Sequence, residues 1–368
     1  MRVAYDYQTF TLQAYGGISR YFVKLCEELT KDDEEVRIFA PYHCNQLLGT
    51  LDKSIVTGKK IATNEFSKPK ALAIMILNQS LSRRTIDNWK PDLVHETYYS
   101  IRRSAPRKFP VITTVYDMIH ERLPQHFHKA DPTSFLKRLT IKRADHIICI
   151  SESTKRDLIE LFPFVESKIS VVHLGVSLFD AEKNDFLVDK PYLLYVGSRN
   201  GHKNFSNLVR SFANLERLSS NFDLIAFGGG SFTTTELNAF NNFGFKKTQI
   251  RQISGDDSLL AMVYRKASAF IYPSFYEGFG LPPLEAMAQD CPVVSSNSSS
   301  MPEVIGDAGE YFDPTSTEQM AEAIEKVVFS QSRREQLVKL GKKRLEIFTW
   351  KNCADKTNQV YHQLVDRN

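Results

Sequence analysis

Two glutamates eight positions apart, Glu277 and Glu285, lie in the string Ser274-Phe275-Tyr276-Glu277-Gly278-Phe279-Gly280-Leu281-Pro282-Pro283-Leu284-Glu285-Ala286-Met287. An ionised carboxylate only accepts hydrogen bonds, so two of them suit paired hydroxyls such as those of a sugar ring or a ribose. Their surroundings read as strand, turn, helix. The short apolar run Ala269–Tyr272 fits a buried strand, and Pro273, lacking an N–H, ends its ladder. Gly278 and Gly280 permit backbone geometry that a side chain resists, and Pro282 and Pro283 fit a first helical turn, whose amides have no intrahelical partner. Glu277 is thus expected in the loop and Glu285 in the first helical turn. Both would lie near a helix N-terminus, which favours anions. Taken singly, Glu285 reads first as helix-start decoration and Glu277 as a solvated loop charge.

A second constellation follows the apolar run Tyr192–Val196: Gly197-Ser198-Arg199-Asn200-Gly201-His202-Lys203-Asn204. Arg199 and Lys203 at this strand-to-helix turn could hold a diphosphate, the first as a planar fork and the second as a point charge; on sequence alone the default reading is a pair of solvated loop charges. Near the start of the chain, Gly16-Gly17 opens an amphipathic stretch, Ile18–Thr30, so the backbone could approach a phosphate or sugar closely there. Asp117 and His120 follow the strand-like run Val111–Tyr116. His120, His126 and His128 lack carboxylate or thiolate companions at recognised metal spacing, so a polar loop is the preferred reading.

These residues need a scaffold that brings loops together. Strands are expected at 1–7, Val36–Ala40, Leu93–Glu96, Val111–Tyr116, His146–Ile150 and Ile169–His173, then at Tyr192–Val196, Asp223–Phe227, Gln249–Ile253, Ala269–Tyr272 and Pro292–Ser296, with helical stretches between many of them. Such alternation indicates α/β domains with parallel sheets, which bind ligands beyond the carboxyl ends of their strands. The length of 368 residues accommodates two domains, expected over 1–177 and 178–350, with the polar stretch 178–190 as linker and a separate terminal helix in 351–368.

The composition is 42% apolar and 24% charged, and the longest clean apolar run, Ala71–Leu77, is far below the roughly 20 residues that span a bilayer. Met1-Arg2-Val3 already looks like a strand, so no leader and a cytoplasmic location are expected. Five scattered cysteines without a CxxC pair indicate neither a disulfide framework nor a zinc site. Residues 1–177 carry 26 Lys and Arg against 20 Asp and Glu. That excess reads either as ordinary solvated surface or as a basic face toward anionic lipid or a phosphate-bearing acceptor. Nucleic acid is not expected, because no aromatic-interleaved basic motif or zinc-finger spacing is present.

The whole string around Glu277 and Glu285 resembles the E-x7-E signature of retaining glycosyltransferases of family four, and most of all the bacterial mannosyl- and rhamnosyltransferases of surface polysaccharide synthesis. The resemblance implies a GT-B fold of two facing Rossmann-like domains, with the terminal helix crossing back to the first. It implies a nucleotide-sugar donor, with GDP-mannose favoured, and a glycan or lipid-linked acceptor. By resemblance Glu277 contacts the donor sugar and Glu285 the ribose. The backbone of Gly278, Phe279, Gly280 and Leu281 meets sugar and phosphate, that around Ile253 meets the base, and Gly16 and Gly17 face the donor. Arg199 and Lys203 would neutralise the leaving diphosphate. Arg199 stands one position later than in the commonest version, and His202 could share its task. The family's His-Asp pair appears as Tyr116-Asp117, which carries over Asp117 and leaves His120 as a candidate. No cofactor or metal is expected, since the chain has no D-x-D triplet. A catalytically silent sugar-nucleotide-binding scaffold and a nucleotide-sugar 2-epimerase remain as alternatives; a glycan phosphorylase would need a much longer chain.

Overall fold

The computed structural model describes residues 1–61, 68–177, 188–199 and 201–367. Two compact units emerge, one made of Met1–Gly175 with Trp350–Asn368 and the other of Val176–Thr349. Most of the expected linker, and Asn200, lie outside the described residues.

The first unit is a seven-stranded sheet: β1 (Arg2–Tyr5), β2 (Glu35–His43), β3 (Val56–Lys60), β4 (Leu93–Glu96), β5 (Val111–Val115), β6 (His146–Cys149) and β7 (Ile169–Val171). Its strands run in the order β3-β2-β1-β4-β5-β6-β7, and every recorded pairing is parallel. The second unit holds β8 (Tyr192–Val196), β9 (Asp223–Phe227), β10 (Ile250–Ile253), β11 (Ala269–Tyr272), β12 (Val293–Ser296) and β13 (Gly309–Phe312), ordered β10-β9-β8-β11-β12-β13, again parallel. Each order reverses direction beside the unit's first strand, between β1 and β4 and between β8 and β11. In doubly wound folds the crevice at that switch point is where ligands bind.

Burial explains the strand composition. β8, β11 and β12 are almost wholly buried, as sheets covered on both faces require, and Leu193, Ala226, Ile271 and Val294 join Phe205, Phe212 and Ile324 from the flanking helices in one core. β3, an edge strand with the sequence VTGKK and a partly exposed pattern, was not anticipated, because its single apolar residue, Val56, makes no alternation. The helix Trp350–Val365 packs on the first unit. Tyr361 Oη bridges His95 Nδ1 at 2.6 Å and Tyr5 Oη at 3.1 Å, while Asn358 and His362 both reach Glu34 at 3.0 Å. Among the described residues no helix is long and apolar enough to cross a membrane. All five cysteines are buried free thiols.

Candidate active site

In the second unit the loops after β8 and β11 meet at the switch point, because those two strands are hydrogen-bonded neighbours. Phe275 N donates to His202 O at 2.8 Å, and Asn204 Nδ2 donates to Pro273 O at 2.9 Å and to Pro314 O at 2.8 Å, joining three loops through one buried amide. Asn204 takes a left-handed conformation, φ 58°, which its residue type tolerates, and stands at the N-cap position of the helix Phe205–Asn214 without a side-chain capping bond. The result is that Lys203 and Glu277, 74 positions apart, form an ion pair, Nζ to Oε1 2.7 Å.

Glu277 is held from several sides. Tyr272, buried at the end of β11, hydrogen-bonds to it; burial first, and then the Glu277 charge, push this phenol well above its ordinary pKa, so it stays protonated as a donor. The Lys203 ammonium also lies 5.7 Å from the Tyr272 ring centroid. The Glu277 amide donates to Ser299 Oγ at 2.8 Å, and Ser300 Oγ lies 2.9 Å from both Glu277 O and Phe279 O. Sequence reasoning missed Tyr272, Ser299 and Ser300 as supports; the only signal was that Ser298–Glu303 resembles the segment following the donor site.

The helix opened by Gly280 runs Leu281–Ala288, and no side chain caps its start. Its Pro282 and Pro283 carry no N–H, so of the amides a helix start leaves without intrahelical partners, those of Gly280 and Leu281 are the donors here. Gly280 has φ +103°, and a Cβ there would stand 2.6 Å from Met301 Cε. Glu285 is the fifth residue of this helix, so the expectation of a place in the first turn is corrected by one step: the helix starts at Leu281 rather than at the prolines. Its Oε2 accepts from Tyr264 Oη at 3.4 Å. Ile253 ends β10 with its carbonyl receiving Gly228 N at 2.9 Å.

Arg199 has other partners. Its guanidinium is committed within the protein: Nε to Glu236 Oε1 at 2.6 Å, Nη1 to Gly228 O at 3.1 Å and Nη2 to Ser231 O at 2.9 Å, over the Phe232 ring at 4.7 Å. Its side chain, only 4% exposed, braces the glycine loop after β9. Glu236, its partner, is also the N3 residue of a capping box with Thr233. Lys203 is thus the cation of the expected pair that faces a candidate ligand carboxylate.

In the first unit Gly16 is the N-cap of the helix Gly17–Lys31. Asp117 follows β5; its Oδ1 accepts from Ile119 N at 3.0 Å and lies 3.6 Å from Nζ of the buried Lys137, which also donates to Glu121 at 2.8 Å. His120 stacks on Phe127 with centroids 3.9 Å apart and has Nε2 3.7 Å from Asp131 Oδ2. Tyr116, at the position of the family histidine, is buried and donates to Thr97 O at 2.8 Å. Among the described residues no group of three His, Cys, Asp or Glu is placed to hold a metal.

Comparisons with known proteins bear on the chain as a whole. A model described as glycosyl transferases group 1 matches residues 177–344, and one described as glycosyltransferase family 4 matches residues 15–178. The O-antigen chain mannosyltransferase B of Escherichia coli is 26% identical over 95% of this chain and 96% of its own length. The O-antigen chain mannosyltransferase RfbU of Salmonella typhimurium is also 26% identical, over 84% of this chain and 87% of its own. The solved sucrose-phosphate synthase of Thermosynechococcus elongatus superposes over 100% of both chains with a TM-score of 0.78 at 18% identity, a likeness of fold. With both halves matched by adjoining family models and the whole chain sharing the GT-B architecture, the protein belongs to the group 1, family 4 glycosyltransferases.

Proposed function

We propose that this glycosyltransferase is a retaining, metal-independent enzyme that moves mannose from GDP-mannose to a glycan or lipid-linked acceptor in surface polysaccharide synthesis. The observation that carries the reading is the Lys203–Glu277 pair, held beside the Gly280 and Leu281 amides at the switch point of the second unit. In the reaction the bond from the sugar's anomeric carbon to the diphosphate breaks, a bond to the acceptor oxygen forms on the same face, and the acceptor's proton passes to the diphosphate. Negative charge grows on the leaving diphosphate, where a preorganised ammonium and helix-start amides have most effect. Glu277, relieved of part of its partner by the phosphate, accepts from the sugar hydroxyls; Glu285 accepts from the ribose, and the backbone at Ile253 borders the base.

The names of the two full-length relatives support mannose and an O-antigen-type product. The missing D-x-D triplet motivates metal independence, and the unpaired cysteines fit a cytoplasmic site of action. The test is a thermal-shift panel of GDP-mannose, UDP-glucose, dTDP-rhamnose and the free diphosphates, followed by transfer assays with and without EDTA. A ligand at about 100 times its dissociation constant stabilises by roughly 2.7 kcal/mol. A shift confined to another nucleotide, an inverted anomer in the product, or activity abolished by EDTA and restored by Mg²⁺ would each remove one part of the proposal. Tyr116 favours a second reading, a binding protein without turnover, because its hydroxyl is spent on Thr97 O; a donor shift with no transfer to any acceptor extract would support that instead.

A further inference from the structure

A cleft of about 600 Å³ opens in the second unit where β11 and β12 begin. The candidate active site lies beyond the other end of β11, a strand of four residues and so roughly 13 Å long. Ser268 and Pro292, which precede the two strands, line the cleft together with Lys266 and Ala267 at the end of the helix Asp257–Lys266. Arg265 of that helix donates from Nη2 to Gln289 Oε1 at 2.8 Å, which ties it to the chain leading into β12. The facing side is the helix Gln331–Ile347. It packs closely on Leu281–Ala288, since a Cβ on Gly341 would stand 2.9 Å from Met287 Cγ. Packed helices and strand starts therefore bound the space.

Charge decides what suits this cleft. Four cations line it, Lys266 from the first helix and Arg334, Lys339 and Lys342 from the second. At helical spacing Arg334, Val338 and Lys342 form one ridge and Gln331, Glu335 and Lys339 the next, so all six share one arc. Two acids lie among the cations, and each is engaged: Asp290 Oδ1 is 3.1 Å from Lys342 Nζ, and Glu335 Oε1 accepts from Gln331 Nε2 at 2.7 Å. Glu346 shares the arc one turn beyond Lys342 and does not line the cleft. Arg334 Nη1 donates to Val328 O at 3.3 Å and Nη2 to Gln331 Oε1, which fixes the guanidinium plane and leaves further N–H donors over. Among the described residues Lys339 Nζ and Ser268 Oγ have no partner. Gathered cations repel one another, and an anion between them removes that cost.

We propose that this cleft is a second anion site, which binds a small molecule carrying a chain of two or more phosphates. A lone phosphate would meet few of the four cations and leave most of the volume empty. Linked phosphates reach from Lys266 on one side to Arg334 and Lys339 on the other, while Ala267, Pro292 and Val338 offer apolar surface to any ring attached to them. The site stands on the second unit alone and holds whichever sugar the enzyme transfers.

The experiment is isothermal titration calorimetry of the full chain with inorganic pyrophosphate, tripolyphosphate and ATP. It is run in a Lys203→Ala background, which removes the cation of the candidate donor site. One saturable binding event per chain is expected to persist there. Lys339→Glu should weaken it by roughly tenfold or more, the loss of one charge-assisted hydrogen bond. Lys266→Glu with Lys339→Glu should weaken it by roughly 100-fold. Lys266 and Lys339 are exposed, so unchanged melting midpoints will show that the variants fold. ATP binding more tightly than tripolyphosphate identifies a nucleotide as the occupant, and the reverse order an inorganic polyphosphate; either supports the site. Absence of heat from all three probes overturns it. So does an equal loss when Lys246→Glu with Lys247→Glu, in the exposed loop before β10, replaces the cleft pair, because the probes would then report only general attraction to a basic surface.

Discussion

Lys203 Nζ lies 2.7 Å from Glu277 Oε1, the two residues arriving from loops that follow neighbouring strands β8 and β11. Each side chain is mostly covered, so removing one partner leaves the other charge poorly solvated as well as unpaired. Lys203→Ala is expected to lower kcat/KM by roughly 10²–10³-fold, because the cation acts on charge that grows in the transition state. Glu277→Gln keeps an acceptor for Tyr272 and the sugar but loses the ion pair, so a smaller loss in kcat is expected. A double-mutant cycle on melting stability should give a coupling of about 1 kcal/mol. Coupling near zero together with undiminished transfer would dissociate the pair from catalysis.

Gly280 sits at φ +103° with Met301 Cε where a side chain would go. Gly280→Ala therefore faces both a disfavoured backbone and a clash, and either outcome moves the Leu281 amide. The expected cost is roughly 1–3 kcal/mol in stability, and the nucleotide-induced thermal shift should fall with it. A variant that melts lower yet shifts fully with donor would mean that this helix start does not meet the ligand.

Arg199 yields a prediction opposite to the one its sequence position suggests. Because its guanidinium serves Glu236 and two carbonyls at once, Arg199→Lys cannot replace all three contacts. It should lower the melting midpoint by an amount equivalent to about 1–3 kcal/mol while leaving the donor-induced increment in place. An unchanged midpoint with the increment lost would return Arg199 to the diphosphate.

How far the sequence could be read follows the same division. β4 and β9 match their expected bounds residue for residue, because in buried parallel sheets local pattern and tertiary burial agree, and a helix, Trp350–Val365, stands where a terminal one was expected. β3 was invisible, since an edge strand of one valine followed by threonine, glycine and two lysines carries no such pattern. The apolar run within Lys68–Trp89 registers in the sequence only as too short to span a bilayer, and packing shows which of its described residues are left outside. In the site, Glu277 and Lys203 were legible by type and motif. The roles of Ser299, Ser300 and Asn204 depend on loops more than 20 residues apart in sequence meeting through backbone groups, which no local spacing encodes. Arg199 meets the same limit: its type allows a diphosphate, and no local spacing announces its pairing with Glu236.

His95 makes the fold of the first unit sensitive to acid. Its ring is fully buried between Tyr361 Oη and Thr114 Oγ1, and burial pushes its pKa down to about 3. An unfolded histidine titrates near 6.5. Between those values the unfolded chain binds one proton more than the folded one, so this group's contribution is fully present above about pH 6.5 and is lost as pH falls, at roughly 1.4 kcal/mol per pH unit. Asp6 works in the other direction: burial, and then Glu96, raise its pKa to about 6, so the folded chain binds the extra proton and gains stability as pH falls below that. The wild-type curve therefore hides part of the histidine's effect. Comparing wild type with His95→Gln removes the background, since Asp6 titrates in both. The variant should be the less stable at neutral pH, where it loses a well-placed hydrogen bond. Its deficit should shrink by roughly 2.3 kcal/mol between pH 6.5 and 4.5, as measured by urea unfolding at several pH values. A deficit that stays constant over that range would mean that the ring can be protonated within the fold, and that the Tyr361–His95–Thr114 chain opens to water without unfolding.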